Sequence, residues 1–369
     1  MVPFALRSLL YDRTRLAISV GGVALAITLI LVLRGIFDGT IAKATLYTER
    51  VGADLFVTQQ GVEHMAMASP VLPAAAEARI AAAPGVAEAR GIVRIPAVLA
   101  VGGHFVTASI VGFAVEGSLG GPWSMAAGSA QPGPDGIVID ETMAREQGVG
   151  IGDEVVVAGH AFVIAGLSRE TNALAVGRVV FVRRETAQAL LQSPEIVNFV
   201  LVRLESGADV EAAAAALREA VPGVAVITRE ALVASDRALF RSLFGAPVDV
   251  MAVIGLLVGL LVIGLATYAA AAERTRDFGV LKAIGASNPY LARVVVELAL
   301  IIALSGFVLG LALSAAAGPL IVRIAPELGV ALHASYAVRI FGAALALSLV
   351  SSLAPVWRIG NLDPKEVFS

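Results

Sequence analysis

Four long stretches without a charged side chain dominate the pattern of apolar and polar positions along the chain. Residues 16–33, 250–272, 298–322 and 340–357 each lack Asp, Glu, Lys, Arg and His. Each stretch is close to the roughly 20 residues that a helix needs to cross a bilayer core. A single central Arg or Lys would cost about 2.5 to 3.5 kcal/mol on insertion, so four uncharged windows predict four transmembrane helices.

The first window has a second interpretation, as a signal peptide. Arg13 and Arg15 precede it, and residues 42–44 read Ala-Lys-Ala, which imitates a cleavage site. The apolar core of a signal peptide is only about 7 to 15 residues long. In this chain the Ala-Lys-Ala motif follows only after Arg34 and Asp38. We therefore interpret the window as a membrane span.

The composition agrees with a membrane protein. Of 369 residues, 57% are hydrophobic and 15% are charged, and the mean hydropathy is +0.83, which is far from the averages of soluble domains. The net charge of -3 indicates no particular partner. The absence of cysteine from the sequence excludes disulfides, thiolate metal sites and cysteine nucleophiles.

Basic residues near the spans predict the orientation, because cytoplasmic loops carry an excess of Lys and Arg. One set of basic residues precedes the first span, lies between the second and third spans, or follows the fourth span. This set consists of Arg7, Arg13, Arg15, Arg274, Arg276, Lys282, Arg293, Arg358 and Lys365. The opposite side has a weaker set, which consists of Arg34, Lys43, Arg323 and Arg339. We therefore expect a multi-pass protein of the cytoplasmic (inner) membrane with both termini in the cytoplasm.

The predicted layout places a large extracytoplasmic domain between the first and second spans. The first 15 residues either form a helix in the cytoplasmic interface or extend the first span. The predicted segments are the interfacial helix at residues 1–15, transmembrane helix 1 at 16–39, the extracytoplasmic domain at 40–244, transmembrane helix 2 at 245–272, a cytoplasmic coupling segment at 273–293, transmembrane helix 3 at 294–322, an outer loop at 323–336, transmembrane helix 4 at 337–358 and a cytoplasmic tail at 359–369.

The extracytoplasmic domain contains a weak internal repeat. Residues 74–93 and 209–227 are Ala-rich helical runs that lead through Pro-Gly-Val into a strand-like stretch. A strand candidate precedes each run, at residues 54–58 and 197–204, so both units read β-α-β. Two such units predict a ferredoxin-like part, here residues 50–116 together with 195–230. Chance similarity between Ala-rich helices is the alternative.

Short strand candidates lie between the two units. They follow a Gly- and Pro-rich break and predict a small all-β insertion at residues 117–194, with strands at 136–140, 153–158, 161–165 and 178–182. The fold class is therefore a membrane α-helical protein, with one plus three spans, that carries an inserted extracytoplasmic α+β domain. The acidic pairs Asp140-Glu141 and Asp153-Glu154 adjoin turns in this insertion, and we expect them on the surface rather than in acid/base chemistry.

The loop between the second and third spans carries the most informative motif. Residues 273–286 read ERTRDFGVLKAIGA, in which charges alternate with apolar side chains, as in an amphipathic helix that is too polar to span. A solvated loop with positive-inside charges is the alternative. Gly279 and Gly285 would each cost about 1 kcal/mol in a helix that only links two spans. Close approach to another surface would explain both glycines.

This string resembles the coupling segment of a family of ABC transporter permeases. The family includes the permeases of macrolide exporters, lipoprotein-releasing complexes and cyanobacterial glycolipid exporters, and the cell-division permease FtsX. The tail at residues 361–368, NLDPKEVF, is similar to the usual ending of the family after the fourth span. The one-plus-three arrangement of spans matches as well, so the resemblance covers the whole chain, although the inserted domain matches only in placement, size and layout.

The resemblance implies that residues 273–286 dock in a groove of a cytoplasmic ABC ATPase subunit, which would bind ATP and Mg. It also implies a second permease copy, as a homodimer or a paralogue, and export or extraction of an amphiphile such as a lipid, lipoprotein, peptide or drug, with or without a periplasmic adaptor. The residues expected to contact the ATPase are Glu273, Arg274, Arg276, Asp277, Phe278, Gly279, Leu281, Lys282, Ile284 and Gly285, and the tail motif contains Asp363, Pro364 and Glu366.

We expect no catalytic, cofactor or metal site on this chain, and no nucleic acid among its partners. The sequence contains no G-x-x-x-x-G-K-[ST] string, so ATP hydrolysis is expected on the partner. The glycine pairs at 102–103 and 120–121 are interpreted as turns rather than phosphate loops. The histidines lack a metal-like partner at i+3 or i+4, and they are His64, His104, His160 and His333.

The spans themselves offer few polar groups. Gly255 and Gly259 form a G-x-x-x-G pattern that permits close helix packing, either within one subunit or between two copies. The scattered hydroxyls show no obvious polar channel, which favours mechanical coupling over a water-filled pore, and they belong to Thr28, Thr267, Ser305, Ser314 and Ser348. Two other functions stay open: an FtsX-like mechanotransmitter that regulates a cell-wall hydrolase, and a membrane sensor without an ATPase.

Overall fold

The computed structural model describes residues 13–171, 178–273, 280, 282, 286–325 and 328–360. Contacts divide the chain into two compact units. We call Thr40–Leu243 the inserted unit, and we call Met1–Gly39 together with Phe244–Ser369 the membrane unit. The predicted interfacial helix at residues 1–15 lies almost entirely outside the described residues.

The described elements follow one another in the order α1 (Arg13–Arg50), β1 (Leu55–Gln59), β2 (Leu72–Pro73), α2 (Ala76–Ala81), β3 (Val86–Val101), β4 (His104–Phe113), β5 (Met125–Gly128), β6 (Gly136–Asp140), α3 (Glu141–Gln147), β7 (Glu154–Val157), β8 (His160–Ser168), β9 (Arg178–Arg183), α4 (Arg184–Leu190), β10 (Ile196–Val197), β11 (Phe199–Leu204), α5 (Val210–Ala220), β12 (Val224–Thr228), α6 (Arg229–Glu273), α7 (Asn288–Ile324) and α8 (Ala334–Gly360).

Four of these helices are long and apolar enough to cross a membrane. They are α1, α6, α7 and α8, and each contains an 18-residue window of high hydropathy. The prediction of four spans is therefore confirmed. Both α1 and α6 are longer than their uncharged windows, because the last residues of α1 and the first residues of α6 continue the helix and belong to the inserted unit.

The inserted unit is built on a ten-stranded mixed sheet. Part of this sheet has the order β12-β1-β11-β3, and each neighbouring pair is antiparallel. In chain order the elements of this part run β1-α2-β3-β11-α5-β12, which is the ferredoxin-like arrangement that the two β-α-β units predict. The helices pack on the sheet through Ile80, Ala214 and Leu217, which are buried in one hydrophobic cluster with the strands.

The prediction of a small all-β insertion is wrong in two respects. The region contains the short helices α3 and α4, each of seven residues, which are too short to show a clear helical period in the sequence. The region also belongs to the same sheet as the ferredoxin-like part. Strand β3 is 16 residues long, and the portion that extends past its pairing with β11 pairs with β4 and β7. Strand β4, which pairs with β9 in parallel, was not predicted from the sequence.

The turn between β3 and β4 explains one of the glycine pairs. Gly102 and Gly103 have φ values of +56° and +82°, which side chains with a Cβ rarely adopt. A Cβ at Gly102 would also lie 2.3 Å from the carbonyl oxygen of Gln147. The interpretation of this pair as a turn is therefore confirmed.

Asp140 is buried, which corrects the expectation that it lies on the surface. Only 1% of the residue is exposed. Its carboxylate accepts hydrogen bonds from the backbone N–H of Thr142 at 2.9 Å and of Thr171 at 3.2 Å. The first of these bonds caps α3, which satisfies an N–H that the helix leaves free. Asp153 does lie exposed, where it accepts a hydrogen bond from the N–H of Gly150 in a turn.

Glu88, on β3, holds the segment that follows β4. Its carboxylate accepts hydrogen bonds from the backbone N–H of Ser118 at 3.0 Å and from the Ser118 hydroxyl at 2.6 Å. The Nη1 atom of Arg203 lies 3.4 Å from the carboxylate. Burial opposes ionisation, but the Ser118 hydrogen bonds and the charges of Arg203 and Arg90 outweigh it and lower the pKa of Glu88.

A lowered pKa means that Glu88 stabilises the fold while it is ionised. We expect this contribution to be complete above the ordinary glutamate pKa of about 4.3, and to be lost as the pH falls through the lower native pKa. Glu88→Gln should flatten this acid part of the profile when thermal unfolding of the purified full chain is followed against pH. Glu116→Gln, at an exposed position on the same segment, serves as the control, and equal flattening by both variants would contradict the assignment.

Candidate functional site

Most of the predicted coupling segment lies outside the described residues. This holds for Arg274, Arg276, Asp277, Phe278, Gly279, Leu281, Ile284 and Gly285, and for the tail residues Asp363, Pro364 and Glu366. Glu273 is the last residue of α6, and Val280 and Lys282 are helical. The predicted contacts with an ATPase therefore stay a prediction.

The chain that follows this segment is fixed to the third and fourth spans. Ala286, the last residue of the motif, packs with Val356 of α8 against a small cluster on α7, which consists of Leu291, Val294 and Val295. Pro289 lies in the first turn of α7, where its missing N–H leaves no helical hydrogen bond unmade. The end of the motif is therefore in direct packing contact with α7 and α8.

Small residues allow the span helices to approach closely. A Cβ at Gly255 would lie 2.7 Å from Cγ1 of Ile30 on α1, and a Cβ at Gly259 would lie 3.8 Å from Cβ of Ala26. A Cβ at Gly310 of α7 would lie 2.9 Å from the carbonyl oxygen of Ala24, also on α1. Gly255 and Gly259 of α6 therefore face α1 of the same chain.

Hydroxyl groups of the spans bond to the backbone. The Thr28 hydroxyl donates to the carbonyl oxygen of Ala24 at 2.7 Å, and the carbonyl oxygen of Gly310 lies 3.2 Å away on α7. Ser314 and Ser348 each donate to a carbonyl three residues earlier in their own helix. These three hydroxyls therefore donate to helix carbonyls. The side chain of Thr267 lies outside the described residues.

The connection between α7 and α8 packs directly on α1. The N–H of Ala331 donates to the carbonyl oxygen of Gly35 at 2.9 Å. A Cβ at Gly39 would lie 2.3 Å from the carbonyl carbon of Gly329, and a Cβ at Gly329 would lie 2.1 Å from the carbonyl oxygen of Gly39. Backbone therefore meets backbone here, on a face that only glycine permits. The contact between Gly39 and Gly329 was not predicted from the sequence, although Gly35 and Gly39 have the G-x-x-x-G spacing.

Polar and aromatic groups surround the Arg34 side chain at the end of the spans where the α7–α8 connection packs on α1. Its Nε donates to the Asp38 carboxylate at 3.1 Å, and its Nη1 donates to the Asp249 carboxylate at 3.3 Å. The guanidinium carbon lies 5.4 Å from the ring centre of Phe37 and 5.1 Å from that of Tyr336, which is the distance of a cation–π contact. These contacts hold the guanidinium in place from several sides.

A cavity of about 530 Å³ opens beside Arg34. Side chains of α1, α7 and α8 and of the connection at residues 331–333 form its walls, and most of them are apolar. Arg34, Asp38, His333 and Tyr336 contribute its polar side chains, and the Nδ1 atom of His333 lies 4.0 Å from the Asp38 carboxylate. The volume is that of an ordinary small-molecule site. In the sequence, Arg34 stands out only as a basic residue, and no pattern there predicts this site.

The inserted unit contains a buried polar cluster around Asp236. The Asp236 carboxylate is 1% exposed and accepts hydrogen bonds from the backbone N–H of Met65 at 3.0 Å and of Ala66 at 3.1 Å. Arg94 donates to the carbonyl oxygen of Ala66 at 3.0 Å. His64 Nδ1 lies 4.0 Å from the carboxylate. The cluster fixes the segment that follows β1, so its role is structural. Within the described residues, no group of three or more His, Asp or Glu could hold a metal ion.

Two protein families match consecutive regions of the chain. Residues 16–220 match the MacB-like periplasmic core domain, and residues 250–364 match the FtsX-like permease C-terminal region. Proteins described as uncharacterized ABC transporter permeases are similar over almost the whole length. One from Mycobacterium tuberculosis is 28% identical over 368 residues, which cover 99% of this chain and 98% of the relative. One from Mycobacterium bovis is 27% identical with the same coverage.

Two solved structures are similar to about half of this chain. The periplasmic region of MacB from Actinobacillus actinomycetemcomitans is 10% identical with a TM-score of 0.39, and the match covers 49% of this chain and 92% of that structure. The extracellular domain of the ABC-type transporter YknZ from Gram-positive bacteria is 13% identical with a TM-score of 0.36, and the match covers 48% of this chain and 99% of that structure.

Proposed function

Because the chain belongs to the ABC transporter permeases of the MacB and FtsX type, we propose that it transmits the ATP-driven motion of a separate ATPase subunit to its inserted unit. The observation that carries this proposal is the pair of family matches, which together take in the first span, most of the inserted unit and the other three spans. In this arrangement the ATPase subunit binds ATP and Mg, and the permease has no catalytic role.

The basic residues around the spans support an orientation with both termini and residues 273–286 in the cytoplasm. The inserted unit then lies outside the cytoplasmic membrane. An adaptor or a cell-wall hydrolase, where one takes part, would bind there. A second permease copy would complete the membrane part, and its contacts would use faces other than the one that Gly255 and Gly259 present to α1.

The coupling motif has the composition of a docking helix. Phe278, Leu281 and Ile284 supply apolar anchors, and the charges between them fix the register against the partner. The packing of Ala286 on α7 and α8 supports this role, because it gives the motif a firm attachment to two spans.

An amphiphile is the substrate class that the membrane unit supports best. The hydroxyls of Thr28, Ser314 and Ser348 donate to carbonyls of their own helices, which supports mechanical coupling rather than a water-filled pore. An ATPase-driven movement of the inserted unit requires no water-filled pore. The same movement would serve an FtsX-like regulator of a hydrolase, and ATPase activity that rises with added lipid or peptide would favour export instead.

Phe278→Asp should prevent co-purification of the ATPase. An anchor residue at the centre of an interface contributes about 2 kcal/mol or more, and a buried unpaired charge adds a further penalty, so we expect a loss of association of at least about 30-fold. The measurement is affinity purification of the tagged full chain from native membranes, with the ATPase quantified by mass spectrometry. Ser287→Asp adds the same charge at an exposed position just beyond the motif and should retain the ATPase. Undiminished association of the Phe278 variant would refute the docking proposal.

A further inference from the structure

We propose that the cavity beside Arg34 binds one alkyl chain of a zwitterionic amphiphile from the surrounding lipid leaflet, with the head group at Arg34, Asp38 and His333. This site goes beyond the proposed function, because lipid binding here requires no ATPase. It also differs from the coupling motif in place, since it lies at the end of the spans where the α7–α8 connection crosses α1.

The walls of the cavity suit an alkyl chain. The rings of Phe307 on α7 and Phe341 on α8 pack with centres 5.0 Å apart and form part of the wall. Leu31 of α1 is buried beside the cavity. Leu311 and Val338 also line it, yet they are 38% and 68% exposed. Because these exposed apolar side chains lie on membrane-spanning helices, the cavity opens towards lipid, and a chain can enter it sideways.

The polar groups of the cavity suit a head group that carries both charges. Arg34 is held by the rings of Phe37 and Tyr336 and by Asp38. Its Nη1 donates to Asp249, whose side chain is 70% exposed, so a phosphate can replace that contact. An ammonium group can then lie against the carboxylates. An amphiphile with a net negative charge would face two carboxylates around one guanidinium, which disfavours it.

Photolabelling of the purified full chain in lipid nanodiscs tests the site. The probe is a lysophosphatidylcholine with a diazirine near the end of its alkyl chain, and the labelled peptides are identified by mass spectrometry. We expect labels around Phe307 and Phe341 that excess unlabelled lysophosphatidylcholine suppresses. Leu311→Trp fills the cavity and should reduce this labelling by about tenfold. Leu309→Trp is the matched control, because Leu309 lies on the same helix, is 42% exposed and does not line the cavity.

A second comparison tests the head group. A fatty acid with the same photoreactive chain should label the cavity about fivefold less than the zwitterionic probe, and Arg34→Lys should reduce this difference. Equal labelling by the two probes would overturn the head-group assignment. If Leu311→Trp and Leu309→Trp reduce the labelling equally, the labels report only general contact with lipid, and the proposed site is overturned. Because labelling is measured without an ATPase, its failure leaves the co-purification result unaffected.

Discussion

Gly39→Ala is expected to destabilise the membrane unit by about 3 kcal/mol, which is at the upper end of the usual cost of overpacking. The added methyl group would lie 2.3 Å from the backbone carbonyl carbon of Gly329, where no flexible side chain can move aside. The α7–α8 connection would have to leave α1, and the hydrogen bond from Ala331 to Gly35 would be strained with it. Thermal unfolding of the purified full chain in detergent measures the loss.

Gly342→Ala is the matched control for this prediction. Gly342 lies in α8, and a Cβ there would meet nothing within 4 Å. This change should be neutral or stabilise the helix by up to about 1 kcal/mol. Gly329→Ala should cost as much as Gly39→Ala, and the double variant should cost less than the sum, because both changes separate the same two backbone segments. A Gly39→Ala protein as stable as the Gly342→Ala protein would refute the backbone contact.

Asp236→Ala is expected to destabilise the inserted unit by about 3 kcal/mol, because the backbone N–H groups of Met65 and Ala66 would lose a charged acceptor in a buried place. The nearby positive charge of Arg94 would also lose the carboxylate that stabilises it. Thermal unfolding of the full chain measures the cost. Hydrogen exchange should rise most at residues 64–68, which the cluster holds.

Asp236→Asn separates the hydrogen bonds from the charge. The Asn side chain keeps an acceptor for Met65 and Ala66, so this variant should keep the exchange protection of residues 64–68 better than the alanine variant does. If both variants are destabilised by the same amount, the charge rather than the hydrogen bonds fixes residues 64–68. Unchanged exchange in Asp236→Ala would contradict the structural role of the cluster.

Sequence patterns predicted the elements whose physical signal is local or repeated. Because a charge in lipid is energetically costly, a long uncharged window indicates a membrane span. Each of the four spans could therefore be recognised by itself. The ferredoxin-like part was predictable because the helix of each β-α-β unit leads into the following strand through the same Pro-Gly-Val motif. The hairpin strand β4 and the helices α3 and α4 were missed, because β4 directly follows a long strand and the helices have only seven residues each.

The candidate site was only partly predictable for a different reason. The coupling motif is one continuous string, and its resemblance to a family pointed to a role before any contact was known. The cavity beside Arg34 joins three helices and a connection that are far apart in the sequence. Arg34 and Asp38 alone looked like polar residues beyond the first window, and Asp140 looked like an exposed turn residue. Only the tertiary contacts distinguish these positions.

The meeting of Gly39 with Gly329 also sets an order for biosynthesis. The chain is made from its N-terminus, so the first span enters the membrane long before the α7–α8 connection leaves the ribosome. Until Gly329 is synthesised, the glycine face of α1 lacks the backbone segment that covers it in the finished protein. The first span must therefore remain in the bilayer without this backbone contact while the inserted unit is made. The membrane unit is completed only when the last span is inserted.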